Sequence, residues 1–367
     1  MSQAQYIMVG GFLGAGKTTA ILRLAELFRD EGKKVGLITN DQSVGLVDTA
    51  MLASHDFPVE EITGGCFCCR FNSLTDAAEK LSSAERPDIF LAEPVGSCTD
   101  LTATVSYPLR RMYGNEFQIA PFSVLVDPVR AERILGLAEG KSFSPKVIYI
   151  YMKQLEEADI ILVNKTDLFD AERLTTLVET LQSRFPQARV ITAAARHGLG
   201  IEEWKQCIST MPASQGESME VDYDIYAEGE SLLGWVNATV SLSGTNWDGN
   251  NFLAAYLTEV QTRLSGSGIE IAHLKMTLSP SEGHDLGVMN LVRTESQGEL
   301  SHALQEPLDS GELIVNLRAE ADPEVLMNVV TEALETIAVQ YGIQSSIQHA
   351  EAFRPGRPVP THRDARG

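Results

Sequence analysis

Several short stretches of the sequence carry side chains whose types and spacing could do chemistry. The most specific is Gly11-Phe12-Leu13-Gly14-Ala15-Gly16-Lys17-Thr18, which fits G-x-x-x-x-G-K-[ST]. Glycines at these positions let consecutive backbone N–H groups turn inward around phosphates. Gly11, Gly14, Ala15 and Gly16 would line that cradle, and Lys17 would set its ammonium on the β- and γ-phosphates. The Thr18 hydroxyl would ligate Mg²⁺, with Thr19 beside it on the same first turn. A helix opening at Thr18 presents its positive end to the same anion.

A second stretch, Asn164-Lys165-Thr166-Asp167, has the chemistry to read a base. A carboxylate at Asp167 accepts from guanine N1–H and the 2-amino group, two donors that adenine lacks. Lys165 would lay its stem along the base, and Asn164 would tie this loop to the phosphate cradle. The run from Ile191 to Ala195, followed by Gly198-Leu199-Gly200-Ile201, resembles the last guanine-contacting loop of GTPases.

Two acidic positions fit the hydrolytic edge. Glu93-Pro94-Val95-Gly96 follows an apolar run, as a carboxylate near Mg²⁺ or the attacking water would, and the Gly96 amide could sense the γ-phosphate. Asn40-Asp41-Gln42 ends another apolar run and is a candidate switch segment. Lys17, Glu93 and Asp41 are therefore the candidate catalytic residues.

Between these acids lies Gly64-Gly65-Cys66-Phe67-Cys68-Cys69. Sulfurs at i, i+2 and i+3 can converge on one ion, and thiolates favour Zn²⁺, Cu⁺ or a similarly soft metal over Mg²⁺ or Ca²⁺. A disulfide within so short a loop would be strained. Three sulfurs leave a tetrahedral site one ligand short, as a transfer site requires. Cys98, two residues past Gly96, is a conditional fourth ligand or a small buried hydrophobe. Redox sensing by low-pKa thiols is the competing role for the cluster.

The elements that must position these groups follow from the apolar pattern. Strands are expected at residues 6–10, 35–39, 88–92, 122–127, 159–164 and 189–192, and helices at 18–29, 74–83 and 171–184. Such alternation implies parallel strands joined by crossover helices, with ligands at the strand carboxyl ends. A polar break over residues 211–219 marks a boundary. Beyond it strands are expected at 235–243, 269–278, 286–293 and 312–318, and helices at 249–264 and 323–341. The expected organisation is a doubly wound α/β domain of the P-loop NTPase class over residues 1–212 and a linker over 213–222. A small α+β domain, with a ferredoxin-like arrangement as one candidate, then spans 223–350, and a flexible basic tail covers 351–367. Cys207 and Trp204 are expected in the core.

The 367 residues, 44% hydrophobic and 22% charged, suit two folded domains. A net charge of −21 argues against nucleic acid as a partner, since phosphate-binding surfaces need clustered Lys and Arg. No apolar stretch reaches the roughly 20 residues that span a bilayer. A signal peptide cleaved after residues 6–10 would destroy the cradle, so a cytoplasmic location without membrane attachment is expected. Five cysteines, three of them in one loop, do not read as a secreted disulfide framework.

In order along the chain, Gly-Phe-Leu-Gly-Ala-Gly-Lys-Thr-Thr, Gly-Gly-Cys-Phe-Cys-Cys, Glu-x-x-Gly and Asn-Lys-Thr-Asp resemble the CobW-like metallochaperone GTPases, relatives of the UreG and HypB maturation factors. The resemblance covers roughly residues 5 to 212. It implies GTP and Mg²⁺ at the cradle, Zn²⁺ or Co²⁺ on Cys66, Cys68 and Cys69, and hydrolysis linked to delivery of the ion to a metalloprotein or cobalamin-pathway client. Relatives often pair around nucleotide, which leaves a homodimer open. Members commonly carry Asn-Glu-Phe-Gly where this chain has Asn40-Asp41-Gln42-Ser43. The alternative functions are a GTPase supporting corrinoid assembly and a nucleotide-dependent redox or interaction switch without metal transfer.

Overall fold

The computed structural model describes residues 3–40 and 57–367, which fall into two compact units. The first comprises residues 3–40, 57–229 and 357–367, the second residues 230–356. The candidate Asp41 lies outside the described residues.

The first unit is built on strands β1 (Ala4–Gly11), β2 (Val35–Asn40), β3 (Val59–Ile62), β4 (Ile89–Glu93), β5 (Phe117–Ile119), β6 (Ser123–Val126), β7 (Ile160–Val163) and β8 (Arg189–Thr192). They form one parallel sheet in the order β3-β2-β4-β1-β6-β7-β8, with β5 also pairing with β1. Strands β2, β4, β6 and β7 are buried along their whole length because helices cover both faces, which is why they read as continuous apolar runs without alternation. The helices are α1 (Lys17–Asp30), α2 (Phe71–Ala84), α3 (Tyr107–Tyr113), α4 (Pro128–Ile134), α5 (Pro145–Glu156), α6 (Ala171–Arg184), α7 (Ile201–Thr210) and most of α8 (Tyr223–Leu232). Strand order reverses about β1, with β4 on one side and β6 on the other, so a crevice opens at the carboxyl ends of these three strands. Leu24 and Phe28 of α1 and Trp204 of α7 pack with Ile7, Val9, Leu91 and Leu162 of the sheet in one core beneath that crevice. Trp204 is fully buried and donates from Nε1 to Ser123 Oγ at 2.9 Å, and Cys207 belongs to the same core.

The second unit contains β9 (Leu233–Trp247), α9 (Gly249–Gly266), β10 (Ile271–Pro280), β11 (Gly287–Leu291), β12 (Glu299–His302), β13 (Leu308–Glu320), α10 (Pro323–Tyr341) and β14 (Gln344–Phe353). Its antiparallel sheet runs β12-β11-β10-β13-β9-β14. Without the β11–β12 hairpin this is a βαββαβ chain with strand order 4-1-3-2, the ferredoxin-like pattern. Phe252, Tyr256 and Val260 of α9 and Leu326, Val330 and Leu334 of α10 form its core with the strands. Asp248 and Asp322 cap the two helices, each accepting from a backbone N–H of the first turn. Gly342, at φ +66, ends α10.

Two features differ from the expected organisation. The division between units falls at residues 229 and 230, so residues 213–229 group with the first unit. The tail is also held. Residues 351–353 complete β14, and Arg357, Arg363 and Arg366 pair with Asp224, Asp100 and Glu217. A basic tail on an acidic body finds counter-charges instead of fraying. No helix among the described residues is long and apolar enough to cross a membrane.

Candidate nucleotide and thiol site

The loop from β1 to α1 curls over the crevice. Gly14 and Gly16 hold φ of +79° and +89°, which turns the intervening amides inward. Gly16 also has no room for a side chain, since a Cβ would come within 2.5 Å of Asn164 Nδ2. Lys17 and Thr18 open α1 and are both buried. Thr18 Oγ1 donates to Glu93 Oε1 at 3.2 Å, and Lys17 Nζ lies 3.8 Å from the same oxygen. The end of β4 thus places its carboxylate beside the ammonium and hydroxyl of the cradle. This donor set, one hydroxyl and one buried carboxylate, suits Mg²⁺.

Asn164, at the end of β7, joins two loops. Its Nδ2 donates to Ala15 O at 2.9 Å, and its Oδ1 accepts from Ala195 N–H at 3.0 Å. Lys165 reaches back over the cradle, donating from Nζ to Gly14 O at 2.6 Å and Asp127 Oδ2 at 3.0 Å. Thr166 bonds to Ala193 O through both N–H and hydroxyl. Asp167 is left exposed, 3.9 Å from His197 Nε2 across the turn after β8. The Asp167 carboxylate and the turn from Ala195 to His197 therefore lie together beside the loop that Asn164 and Lys165 tie to the cradle.

The thiols come together beyond β3. Cys69 and Arg70 both donate their N–H to Cys66 O, closing a tight turn before α2. The three sulfurs lie 2.8 Å (Cys66 to Cys68), 3.3 Å (Cys66 to Cys69) and 3.7 Å (Cys68 to Cys69) apart. Zn–S bonds of about 2.3 Å in a tetrahedron need sulfurs roughly 3.8 Å apart, so small outward movements would fit an ion. Hydrogen bonds from Cys68, Cys69 and Cys98 hold the Cys66 thiol well below its ordinary value. The same bond to Cys66 pushes Cys68 up, and Cys69 up to about 11. Cys66 is thus the most acidic thiol of the three. Cys98, buried, supplies one of these hydrogen bonds but stands outside the set of three that could share an ion.

Further residues tie these groups together, and of them Gln154, Glu157 and Arg130 are not singled out by sequence patterns. Asn40, the last residue of β2, donates from Nδ2 to Gly65 O at 2.7 Å and Ile62 O at 3.0 Å, fastening the thiol loop to the sheet. The loop after Glu93 is clamped by α5. Gln154 Nε2 donates to Gly96 O and Cys98 O at 3.0 and 2.8 Å. Just past the helix end, Glu157 accepts from Thr99 Oγ1 and Thr102 N–H, each at 3.0 Å. Gly96 presses on the cradle so closely that a Cβ there would meet Leu13 N at 3.0 Å. Arg130 Nη1 donates to Leu13 O at 2.9 Å, with its guanidinium over Phe12 and Phe143. Asn40 and Gly96 lie in stretches that the sequence marks, and Asp127 carries a signal as an acid directly before Pro128 at a helix start. The others act through side chains distant in sequence.

A family model described as the CobW/HypB/UreG nucleotide-binding domain matches residues 5–192. Among curated proteins, a zinc chaperone CobW of Sinorhizobium sp is 28% identical over 199 residues, covering 48% of this chain and 55% of the relative. The zinc chaperone YjiA of Escherichia coli K12 is 28% identical over 194 residues, covering 51% and 57%. Among solved structures, the hydrogenase maturation factor HypB from Archaeoglobus fulgidus aligns at 22% identity and a TM-score of 0.39, over 55% of this chain and 87% of that one. The chain spans about half the length of the curated relatives it matches.

Proposed function

The chain belongs to the CobW/HypB/UreG nucleotide-binding family, and from that premise we propose that it is a GTP-hydrolysing metallochaperone. It takes up a soft divalent ion as cargo on Cys66, Cys68 and Cys69 and hands it to a client metalloprotein under control of the bound nucleotide. One observation carries this reading: the nucleotide crevice and the thiol loop share their supports. Asn40 ends β2 and holds Gly65, next to Cys66. Glu93 ends the neighbouring β4, contacts Thr18, and leads into the loop whose Cys98 bonds Cys66.

The inward N–H groups of residues 14–18 and the Lys17 ammonium bind the β- and γ-phosphates and stabilise charge on the transferring phosphoryl group. Thr18, with Glu93 close by, would hold Mg²⁺, which when bound would supply further neutralisation of that charge. Glu93 orients water at the γ-phosphate edge. Asp167 selects guanine, and the products are GDP and phosphate. On the metal side, Cys66, Cys68 and Cys69 bind the ion as thiolates, their thiols giving up protons as they join. Three sulfurs leave one position for a ligand from the client, so transfer proceeds by ligand exchange. Relatives named zinc chaperones support Zn²⁺ as the cargo, with Co²⁺ as the competing ion.

Metal analysis of the purified protein tests this. About one Zn²⁺ per chain is expected, lost in the Cys66→Ser, Cys68→Ser, Cys69→Ser triple variant, with a dissociation constant that differs between GDP and a non-hydrolysable GTP analogue. Equal dissociation constants in the nucleotide-free, GDP and GTP-analogue forms would refute coupling. Unchanged metal content in the triple variant would refute the thiol site.

A further inference from the structure

Residues 357–367 lie on the first unit along a path that meets the thiol loop and then the loop after β4. The Val359 N–H donates to Cys69 Sγ at 3.2 Å. Pro358 and Pro360 flank it, and since proline has no N–H, Val359 is the one backbone donor of the three. The residue is 69% exposed, and its backbone makes the contact of consequence. Thr361 then bonds twice, from N–H to Cys68 O at 2.8 Å and from Oγ1 to Cys69 O at 3.1 Å. His362 packs edge-on against Phe71, the first residue of α2, with ring centroids 5.0 Å apart. Arg363 grips the Asp100 carboxylate through Nε at 2.7 Å and Nη2 at 3.4 Å. Asp100 is buried, holds φ +63°, and also accepts from Tyr223 Oη at 2.6 Å.

We infer that residues 359–364 form a strap that positions the thiol loop for its cargo and ties it to the loop carrying Gly96 and Cys98. This inference rests on the metal-carrying function proposed above and assigns the control of that site. Val359, Thr361 and Arg363 are positioning residues. The Val359 N–H puts partial positive charge on the Cys69 sulfur, which lowers the repulsion among thiolates gathered on one ion. The two Thr361 bonds fix the backbone that aims Cys68 and Cys69. Arg363 anchors the strap on the loop that follows Glu93, so displacement of that loop loosens the grip on Cys69. Two prolines hold the segment extended beforehand, which reduces the ordering entropy lost when the strap docks.

The test uses the Zn²⁺-loaded 367-residue protein challenged with excess chromophoric chelator, and Co²⁺-loaded protein for its thiolate-to-metal charge-transfer band. Outer partners of metal ligands typically alter affinity about ten- to hundredfold. Val359→Pro, which removes the N–H, and a chain ending at Arg357 should each release Zn²⁺ about ten- to hundredfold faster and shift the Co²⁺ band. Val359→Ala, which keeps the N–H, should match the parent. Release from Val359→Pro and the truncated chain within twofold of the parent, with an unchanged Co²⁺ spectrum, overturns the strap while leaving the thiol site standing. A parent that takes up neither ion, or holds it equally after the triple Cys→Ser change, overturns the carrier function itself.

Discussion

Glu157 gives a pH test of how the loop between the two sites is held. Burial pushes its carboxyl up from 4.5 to about 8, against the opposing pull of the Thr102 N–H and Thr99 hydroxyl. Between those two pH values the folded protein keeps a proton that the unfolded chain has released. The stability contributed by Glu157 is therefore complete below pH 4.5 and is lost as pH rises towards 8. At ~1.4 kcal/mol per pH unit the full span corresponds to about 5 kcal/mol. Glu157 keeps part of its surface in water, and with that screening about 2–3 kcal/mol is the expected loss. Glu157→Gln mimics the protonated acid, and its side-chain oxygen still accepts from Thr102 N–H. The assay is hydrogen exchange of the amides in residues 96–106 from pH 5 to 8.5, taken as a parent-to-variant ratio so that intrinsic exchange rates cancel. The two proteins should match at pH 5, and by pH 8.5 the parent should exchange about thirty- to 150-fold faster than the variant. A ratio that stays flat across the range would show that Glu157 titrates no differently in the folded chain, and the reasoning would fail.

Three other substitutions probe the site from different sides. Asp167→Ala would remove the charged acceptor of two hydrogen bonds donated by guanine, each worth about 1.5–3 kcal/mol, so competition binding should show the preference for GTP over ATP falling at least about a hundredfold. Gly96→Ala places a methyl group 3.0 Å from Leu13 N and 2.8 Å from Leu13 Cδ2, forcing the cradle and the loop apart. Steady-state GTP hydrolysis should drop about tenfold or more, as misplacement of a phosphate-binding loop does. Cys98→Ser replaces the soft thiol that bonds to Cys66, and chelator competition should show Zn²⁺ affinity lowered about tenfold. Cys207→Ser, in the core with Trp204, should leave Zn²⁺ affinity unchanged.

What could be read from the sequence was whatever its neighbours along the chain encode. The cradle, the Asn164-Lys165-Thr166-Asp167 loop and the thiol cluster are each contiguous, and the central strands announce themselves as unbroken apolar runs because both sheet faces are covered. Strand β3 escaped because Glu60 and Glu61 interrupt its short sequence, and its place depends on pairing with β2. Strand β14 has seven exposed residues before its last three, so its polar sequence gives no sheet signal apart from β9. The tail was harder still. A Pro-rich basic terminus is indistinguishable from a frayed one until Asp100, 263 residues away, is seen to meet Arg363. Asn40 lies in the stretch expected to act as a switch, yet its amide holds the thiol loop.

That placement of Asn40, together with the loop after Glu93, determines how much one site can tell the other. A tenfold change in metal affinity between nucleotide states needs a coupling energy of about 1.4 kcal/mol. This is the size of a single buried hydrogen bond, such as Gln154 Nε2 to Gly96 O or Thr361 N–H to Cys68 O. No large rearrangement is required. Gly96 touches the cradle, Cys98 touches Cys66 and Asp100 holds the strap, all within five residues of one loop. On the function proposed above, a γ-phosphate that displaced Gly96 by a fraction of an ångström would strain contacts on both flanks of the sulfurs. Linkage also requires the reverse: an ion that tightens Cys66, Cys68 and Cys69 must alter the affinity for GTP by the same factor, through the same few bonds.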